Sequence, residues 1–215
     1  MAPGMDRHRD GEVVVLVGGL WLPGWILYPL ARRLRRGGFD TRIFDYPTVA
    51  QDLRANAAAL AAFARALPQP TVHFVGYSLG GLVVRALFQY DPPLRPGHIV
   101  TLASPHQGSA AAARLRQTHA GRRLLGHGAG ALAPGALASW PLPPRPFGII
   151  AGTFPVGLGR FVTRFAEPSD GTVALSEALL PGTEPLVLPV SHAGILYSAG
   201  AARAVCQFLA HGRFS

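Results

Sequence analysis

One serine set between glycines is the residue of this sequence best suited to chemistry. Ser78 lies in Gly76-Tyr77-Ser78-Leu79-Gly80, a G-x-S-x-G pattern in which a sharp turn exposes the serine hydroxyl as a nucleophile. The apolar run 71–75 predicts a buried strand directly before the pattern, and residues 79–89 predict a helix directly after it. This strand-turn-helix context favours a nucleophilic serine over a serine that only begins a helix.

A nucleophilic serine needs a general base within hydrogen-bond reach and an acid that orients the base. His192 is the predicted base because it follows a short apolar strand and comes last in the chain order serine, acid, histidine. Asp170 is the predicted acid, with Glu167 and Asp45 as rivals, and an aspartate that only forms a turn as the alternative. The mechanism needs a neutral imidazole, so we expect the rate to rise with pH between about 6 and 8.

Backbone N–H groups should stabilise the oxyanion that forms when the serine attacks a carbonyl. One donor is expected from Leu79, the residue after the nucleophile, and the second from the loop after the first strand. Leu20 is the predicted second donor and Trp21 the alternative. These two assignments depend on position alone, because a backbone donor has no side-chain signature.

Alternating strand and helix patterns must position these residues. A chain of 215 residues suits one α/β domain, here 1–215. Strands are predicted at 13–17, 41–44, 71–75, 98–103, 147–151 and 186–188, and helices at 26–36, 51–67, 79–89 and 199–210. Such alternation predicts a mostly parallel, doubly wound sheet. Residues 105–146 interrupt it and are expected to form a small helical lid insert.

Composition excludes several other chemistries. All 20 basic side chains are arginines, so a Walker-type phosphate loop or a Schiff-base lysine is absent, and the single Cys206 has no intrachain disulfide partner. The net charge is +9, but the arginines are scattered and lack interleaved aromatics. We therefore expect no nucleic-acid partner, while contact with an anionic lipid surface fits the charge.

The N-terminal apolar run does not read as a signal peptide. Asp6, Asp10 and Glu12 dilute the positive charge before the run at 13–20, and no small-residue cleavage site follows. No apolar stretch is long enough for a membrane span. A cytoplasmic, unprocessed chain is expected.

Several segments resemble the α/β-hydrolase superfamily, and more narrowly bacterial serine esterases and lipases of the PGAP1-like or triacylglycerol-lipase type. They are Val17-Gly18-Gly19-Leu20, residues 76–81, residues 103–109, Ser169-Asp170-Gly171-Thr172-Val173 and Ser191-His192. The resemblance implies an α/β-hydrolase fold with a reduced core. It also implies ester hydrolysis by Ser78, Asp170 and His192, without a cofactor or metal. Such lipases commonly have His-Gly where this chain has Gly18-Gly19.

The expected function is that of a serine carboxylesterase or lipase acting on hydrophobic small-molecule or lipid esters through an acyl-enzyme. The alternatives are an acyltransferase with the same triad and a catalytically silent binding protein of hydrolase fold. Trp21, Trp25 and Trp140 are predicted to line an apolar acyl pocket, with packing in the core or the insert as the alternative. The oligomeric state is left open.

Overall fold

A six-stranded parallel sheet forms the centre of the structure, a computed structural model that describes residues 9, 11–92 and 95–214. The strands are β1 (Glu12–Val17), β2 (Asp40–Phe44), β3 (Thr71–Tyr77), β4 (Ile99–Leu102), β5 (Phe147–Gly152) and β6 (Leu186–Leu188). Their order is β2-β1-β3-β4-β5-β6, and every neighbouring pair is parallel. The predicted doubly wound α/β class is confirmed.

Helices cover both faces of the sheet. In the described part of the chain they are α1 (Tyr28–Arg36), α2 (Leu53–Ala66), α3 (Leu79–Tyr90), α4 (Ala110–Leu115), α5 (His119–Leu125), α6 (Leu175–Ala178), α7 (Gly194–Tyr197) and α8 (Ala199–His211). Short 3-10 turns occur at Gly24–Leu27, Gly126–Ala129 and Leu158–Phe161. No helix in these described ranges is long and apolar enough to cross a bilayer. Asp6 and Asp10, used in the signal-peptide argument, lie outside the described residues.

The side chains of β1 point alternately to the two faces of the sheet, and each set packs into one of the two layers of the core. Val14 and Leu16 face a cluster that includes α1 and α8, while Val13, Val15 and Val17 face α2 and α3. Successive side chains of a strand point to opposite faces, so an uninterrupted apolar strand can bury both. The sheet is therefore held between helix layers, and the carboxyl ends of its strands share one edge.

The helix ends follow local capping chemistry. Asp52 accepts the Ala55 N–H at 2.8 Å and starts α2, two residues later than predicted. Ser198 accepts the Ala201 N–H at 3.1 Å and starts α8, as predicted. Helix α1 begins at Tyr28 rather than at residue 26 because the preceding residues form a 3-10 turn.

The segment 105–146 leaves the sheet after β4 and returns to it at β5. Its apolar side chains, including Leu125, Leu132 and Leu137, pack on Leu79 and Leu82 of α3. The segment contains the short helices α4 and α5.

A buried arginine ties both ends of this segment to α3. The Arg85 guanidinium is 2% exposed and donates to the carbonyls of His106, Leu137 and Trp140 at 3.4, 3.2 and 3.1 Å. Burial lowers the pKa of Arg85, which still keeps its charge at neutral pH. Arg85, on the helix that starts beside Ser78, thus holds both ends of this segment in place.

Candidate active site

Ser78 lies at the sharp turn between β3 and α3. Its φ of 53° and ψ of −122° are unusual for a residue with a side chain. The turn places Ser78 directly before the first residue of α3, at the carboxyl end of a central strand. Such strain at the junction of strand and helix is the geometry that a nucleophile elbow requires.

Two glycines allow the turn to close. A Cβ at Gly76 would lie 2.5 Å from the Gly81 Cα, and a Cβ at Gly80 would lie 2.2 Å from the Val17 carbonyl oxygen. Both distances are well below van der Waals contact. The G-x-S-x-G spacing therefore reflects backbone packing on each side of Ser78.

A chain of hydrogen bonds joins the three residues that the sequence singled out. The Ser78 Oγ lies 3.1 Å from the His192 Nε2, and the His192 Nδ1 lies 2.7 Å from an Asp170 carboxylate oxygen. An ionised carboxylate can only accept hydrogen bonds, so in the contact with Asp170 the His192 Nδ1 carries the proton. The His192 Nε2 is then free to accept a proton from Ser78.

Asp170 is held by the backbone of its own loop. Its second carboxylate oxygen accepts the N–H groups of Thr172 and Val173 at 2.9 and 2.7 Å, and the side chain is buried. The His192 N–H donates to the Asp170 carbonyl at 2.9 Å. The Asp170 and His192 loops, which follow different strands, are thereby fixed to each other.

The rival acids are engaged elsewhere. Glu167 accepts the Ser176 hydroxyl at 2.6 Å on the surface, and Asp45 is exposed at the end of β2. Among the other histidines, His73 pairs with Glu12 at the amino ends of the strands, and His106 is buried beside Thr101. Of these residues, the structure brings only Asp170 and His192 to Ser78.

Tyr77 is a contact of His192 that the sequence did not reveal. Its hydroxyl donates to the His192 carbonyl at 3.2 Å, and its ring is tilted against the imidazole at 5.2 Å between centroids. Burial, and then the charge of Asp170, raise the pKa of Tyr77 and keep the hydroxyl protonated. The only available signal was its place in the variable position of the G-x-S-x-G pattern.

The predicted oxyanion donors lie beside Ser78. Leu79 is the first residue of α3, so its N–H has no intrahelical acceptor. The loop that carries Leu20 approaches closely, since a Cβ at Gly19 would lie 3.0 Å from the Ser78 Cβ. The alternative donor, the Trp21 N–H, is bonded to Thr48 Oγ1 at 3.1 Å, which favours Leu20.

A tyrosine and a threonine hold the loop that carries Leu20. The buried Tyr46 hydroxyl donates to the Gly18 carbonyl at 2.8 Å, and Thr48 binds the Trp21 N–H. The Trp21 indole N–H donates to the Leu124 carbonyl at 2.9 Å and so joins the loop to α5. Tyr46 and Thr48 follow β2, whose own sequence gives no hint of this role.

An apolar cavity of about 670 Å³ opens above Ser78 and His192. Most of its lining side chains are aliphatic or aromatic and come from the oxyanion loop, the insert and the segment after β5. Trp21, Leu22 and Ile26 line it, together with Leu115, Leu124, Leu125, Leu132, Leu158, Phe161 and Leu196.

Two of the three predicted pocket tryptophans lie elsewhere. Within the described residues, the lining includes Trp21 but neither Trp25 nor Trp140. Trp25 projects outward from the 3-10 turn before α1, and Trp140 packs edge-on against Tyr90 at the end of α3. The prediction that these two tryptophans line the cavity is therefore corrected: Trp25 lies on the surface, and Trp140 packs against Tyr90.

Comparison with solved structures identifies the architecture. The mature lipase BlEst2 of Bacillus licheniformis superposes with a TM-score of 0.78 at 21% identity, covering 98% of this chain and 96% of that one. The metagenomic carboxyl esterase MGS0156 gives 0.65 at 22% identity, over 86% and 65% of the two chains. The carboxylesterase CesB of Bacillus subtilis gives 0.61 at 17%, over 96% and 86%. This is the α/β-hydrolase fold.

Sequence comparisons are less informative. A family model described as a domain of unknown function, DUF7379, matches residues 35–138. No curated protein matches the sequence. The narrower resemblance to PGAP1-like or triacylglycerol-lipase-type proteins stays a prediction.

Proposed function

We propose that the protein is a serine carboxylesterase or lipase that hydrolyses hydrophobic carboxylic esters through an acyl-enzyme. The observation that carries the proposal is the chain Ser78 to His192 to Asp170, with links of 3.1 and 2.7 Å, at the floor of an apolar cavity. Its similarity to solved lipases and esterases agrees with this chemistry.

Acylation begins when the Ser78 Oγ attacks the ester carbonyl carbon. The His192 Nε2 accepts the hydroxyl proton, and Asp170 stabilises the resulting imidazolium through Nδ1. The carbonyl oxygen becomes an oxyanion held by the N–H groups of Leu79 and Leu20. When the tetrahedral intermediate collapses, the bond to the alcohol oxygen breaks, and His192 returns the proton to the leaving alcohol.

Deacylation repeats these steps with water as the nucleophile. His192 takes a proton from water, the hydroxide oxygen bonds to the acyl carbon, and the bond to the Ser78 Oγ breaks. The serine recovers its proton from His192 and the carboxylic acid leaves.

In this proposal, residues 105–146 act as a cap over the acyl site within one domain, 1–215. Leu115, Leu124 and Leu125 of the segment contribute to the cavity wall. Arg85 anchors the segment at its two ends, while Trp21 bonds to its middle part. An acyl chain entering the cavity would lie between the segment and the oxyanion loop.

Hydrolysis of p-nitrophenyl esters from short to long acyl chains tests the proposal. We expect Ser78→Ala to lower kcat/KM by about 10⁴-fold or more while the protein stays folded. Ser139→Ala is the matched control, because Ser139 is an exposed serine of the insert, away from the cavity lining. Retained turnover in Ser78→Ala would refute a Ser78 nucleophile.

Added alcohols separate hydrolysis from acyl transfer. If millimolar-range acceptor alcohol leaves the release of free carboxylic acid unchanged, the protein is a hydrolase. If a new ester of that alcohol forms and less free acid is released, the protein is an acyltransferase. Absence of turnover by the native chain on every ester tested would instead favour a silent binding protein.

A further inference from the structure

The mouth of the cavity combines exposed apolar side chains with a strongly one-sided charge. Leu158 and Phe161, in the 3-10 turn after β5, line the cavity yet are 72% and 88% exposed. Trp21, Leu124 and Tyr197 also line it and are exposed. Large apolar side chains grouped in this way are uncommon on a protein surface that faces only water.

The chain is free of acids across the two segments that form this mouth. Between Asp91 and Glu167 the sequence contains no aspartate or glutamate, although it has eight arginines. Six of these are exposed and lie within two residues of a cavity-lining side chain: Arg114, Arg116, Arg122, Arg123, Arg160 and Arg164.

These six arginines, here called the rim arginines, have no carboxylate partner among the described residues. The ion pairs formed by arginines there involve Arg9, Arg42 and Arg65, which lie in other parts of the chain. The acid that follows the stretch, Glu167, is bonded to Ser176. The positive charge of the rim arginines is therefore open to an external anion.

We propose that the rim arginines and the exposed apolar side chains dock the protein on a bilayer that contains anionic phospholipid, with the cavity mouth toward the lipid. Aromatic and aliphatic side chains partition into the interfacial layer, and each basic residue near an anionic surface adds about 1 kcal/mol of attraction. An ester would then enter the cavity from the membrane. The substrate part of this inference rests on the proposed function, but docking does not.

Vesicle sedimentation with Ser78→Ala measures docking without turnover. We compare vesicles of phosphatidylcholine alone with vesicles that also contain phosphatidylglycerol, at about 0.1 M and about 1 M salt, where the Debye length falls from about 10 to about 3 Å. The expected result is binding that requires phosphatidylglycerol and weakens at least tenfold at high salt. Equal binding to both vesicles would overturn the proposal.

A pair of triple variants separates local charge from net charge. The first, Arg114→Gln, Arg123→Gln and Arg164→Gln, removes rim arginines whose side chains make no hydrogen bond in the described structure. The control, Arg32→Gln, Arg35→Gln and Arg36→Gln, removes the same charge from the exposed side of α1. We expect at least a tenfold loss of vesicle affinity in the first and less than about a twofold loss in the control. Equal losses would overturn the proposal.

Two further measurements complete the test. Phe161→Ser should weaken vesicle binding several-fold with no change in charge. With catalytically intact protein, the rim triple variant should retain hydrolysis of a dissolved short-chain ester and lose that of an ester embedded in anionic vesicles. Salt-sensitive binding to duplex DNA without binding to vesicles would indicate that the rim arginines bind nucleic acid rather than lipid, and would overturn the proposal.

Discussion

At the scale of single residues, the carboxylate of Asp170 does two jobs with its two oxygens. One oxygen accepts backbone N–H groups from its own loop, and the other accepts the proton-bearing Nδ1 of His192. The first contact fixes the side chain, and the second fixes the tautomer of His192. A residue of the same shape that still accepts the loop N–H groups, but donates a hydrogen bond to His192 instead of accepting one, would separate the two effects.

Asp170→Asn is that change. Its amide oxygen can still accept from Thr172 and Val173, but its NH₂ group would face Nδ1 and force the proton of His192 onto Nε2. We expect kcat to fall by about 10⁴-fold at neutral pH with little loss of stability, measured by ester hydrolysis and thermal unfolding. Glu167→Gln, the rival acid, should retain nearly full activity. An Asp170→Asn enzyme of near-normal activity would contradict the triad.

At the scale of elements, the strands and the long helices were predictable, and the short helices α6 and α7 were not. The patterns of β1, α2, α3 and α8 gave their type and place to within a few residues, because buried apolar faces repeat over them. Helices α6 and α7 have four residues each, too few for a helical period to be visible. Their formation depends on packing with distant parts of the chain.

The residues of the candidate site also differ in how far the sequence predicted them. The sequence singled out Ser78, Asp170 and His192, since each carries a distinctive side chain after a recognisable strand or in a loop. Tyr46 and Tyr77 were missed because they act through backbone carbonyls, whose positions only the folded chain defines. Trp25 and Trp140 were misplaced because an apolar side chain near a loop can face the cavity, the core or solvent with the same sequence.

Arg85 offers a test at this scale, since one side chain binds carbonyls at both ends of the insert. Arg85→Ala leaves those buried carbonyls without their donor, so we expect the free energy of unfolding to fall by about 3 kcal/mol. Trypsin should also cleave the insert faster than in the native protein. Arg203→Ala, an exposed position on α8, should change neither measurement. Unchanged cleavage in Arg85→Ala would show that the insert is held by other contacts.

At the scale of the whole molecule, buried imidazoles link stability to acidity, because burial lowers the pKa of both His73 and His106 to about 3. His106 is fully buried against Thr101, and burial, followed by the charge of Arg85, lowers its pKa to about 3. A free histidine has a pKa of about 6.5, so the unfolded chain takes up the proton first as the pH falls. The stability that neutral His106 contributes is complete above about pH 6.5 and is lost progressively toward pH 3.

The contribution of His106 to the slope is up to about 1.4 kcal/mol per pH unit, or about 2 kcal/mol between pH 6.5 and 5. His106→Gln should be less stable than the native chain at pH 7.5 but should lose less stability on acidification. Urea unfolding at several pH values measures both, with the exposed His211→Gln as control. An identical pH slope in His106→Gln and the native chain would assign acid sensitivity to other groups.

The backbone angles of the described residues carry a final consequence. Trp21, Ser78 and Ala103, the non-glycine residues there with positive φ, follow β1, β3 and β4, three adjacent strands of the sheet. Each such residue costs on the order of 1 to 3 kcal/mol, a substantial part of a typical folding stability. Glycine adopts such backbone angles without this strain, but at Ser78 it would remove the proposed nucleophile. At Ser78, the stability of the backbone and the proposed reaction therefore favour different residues.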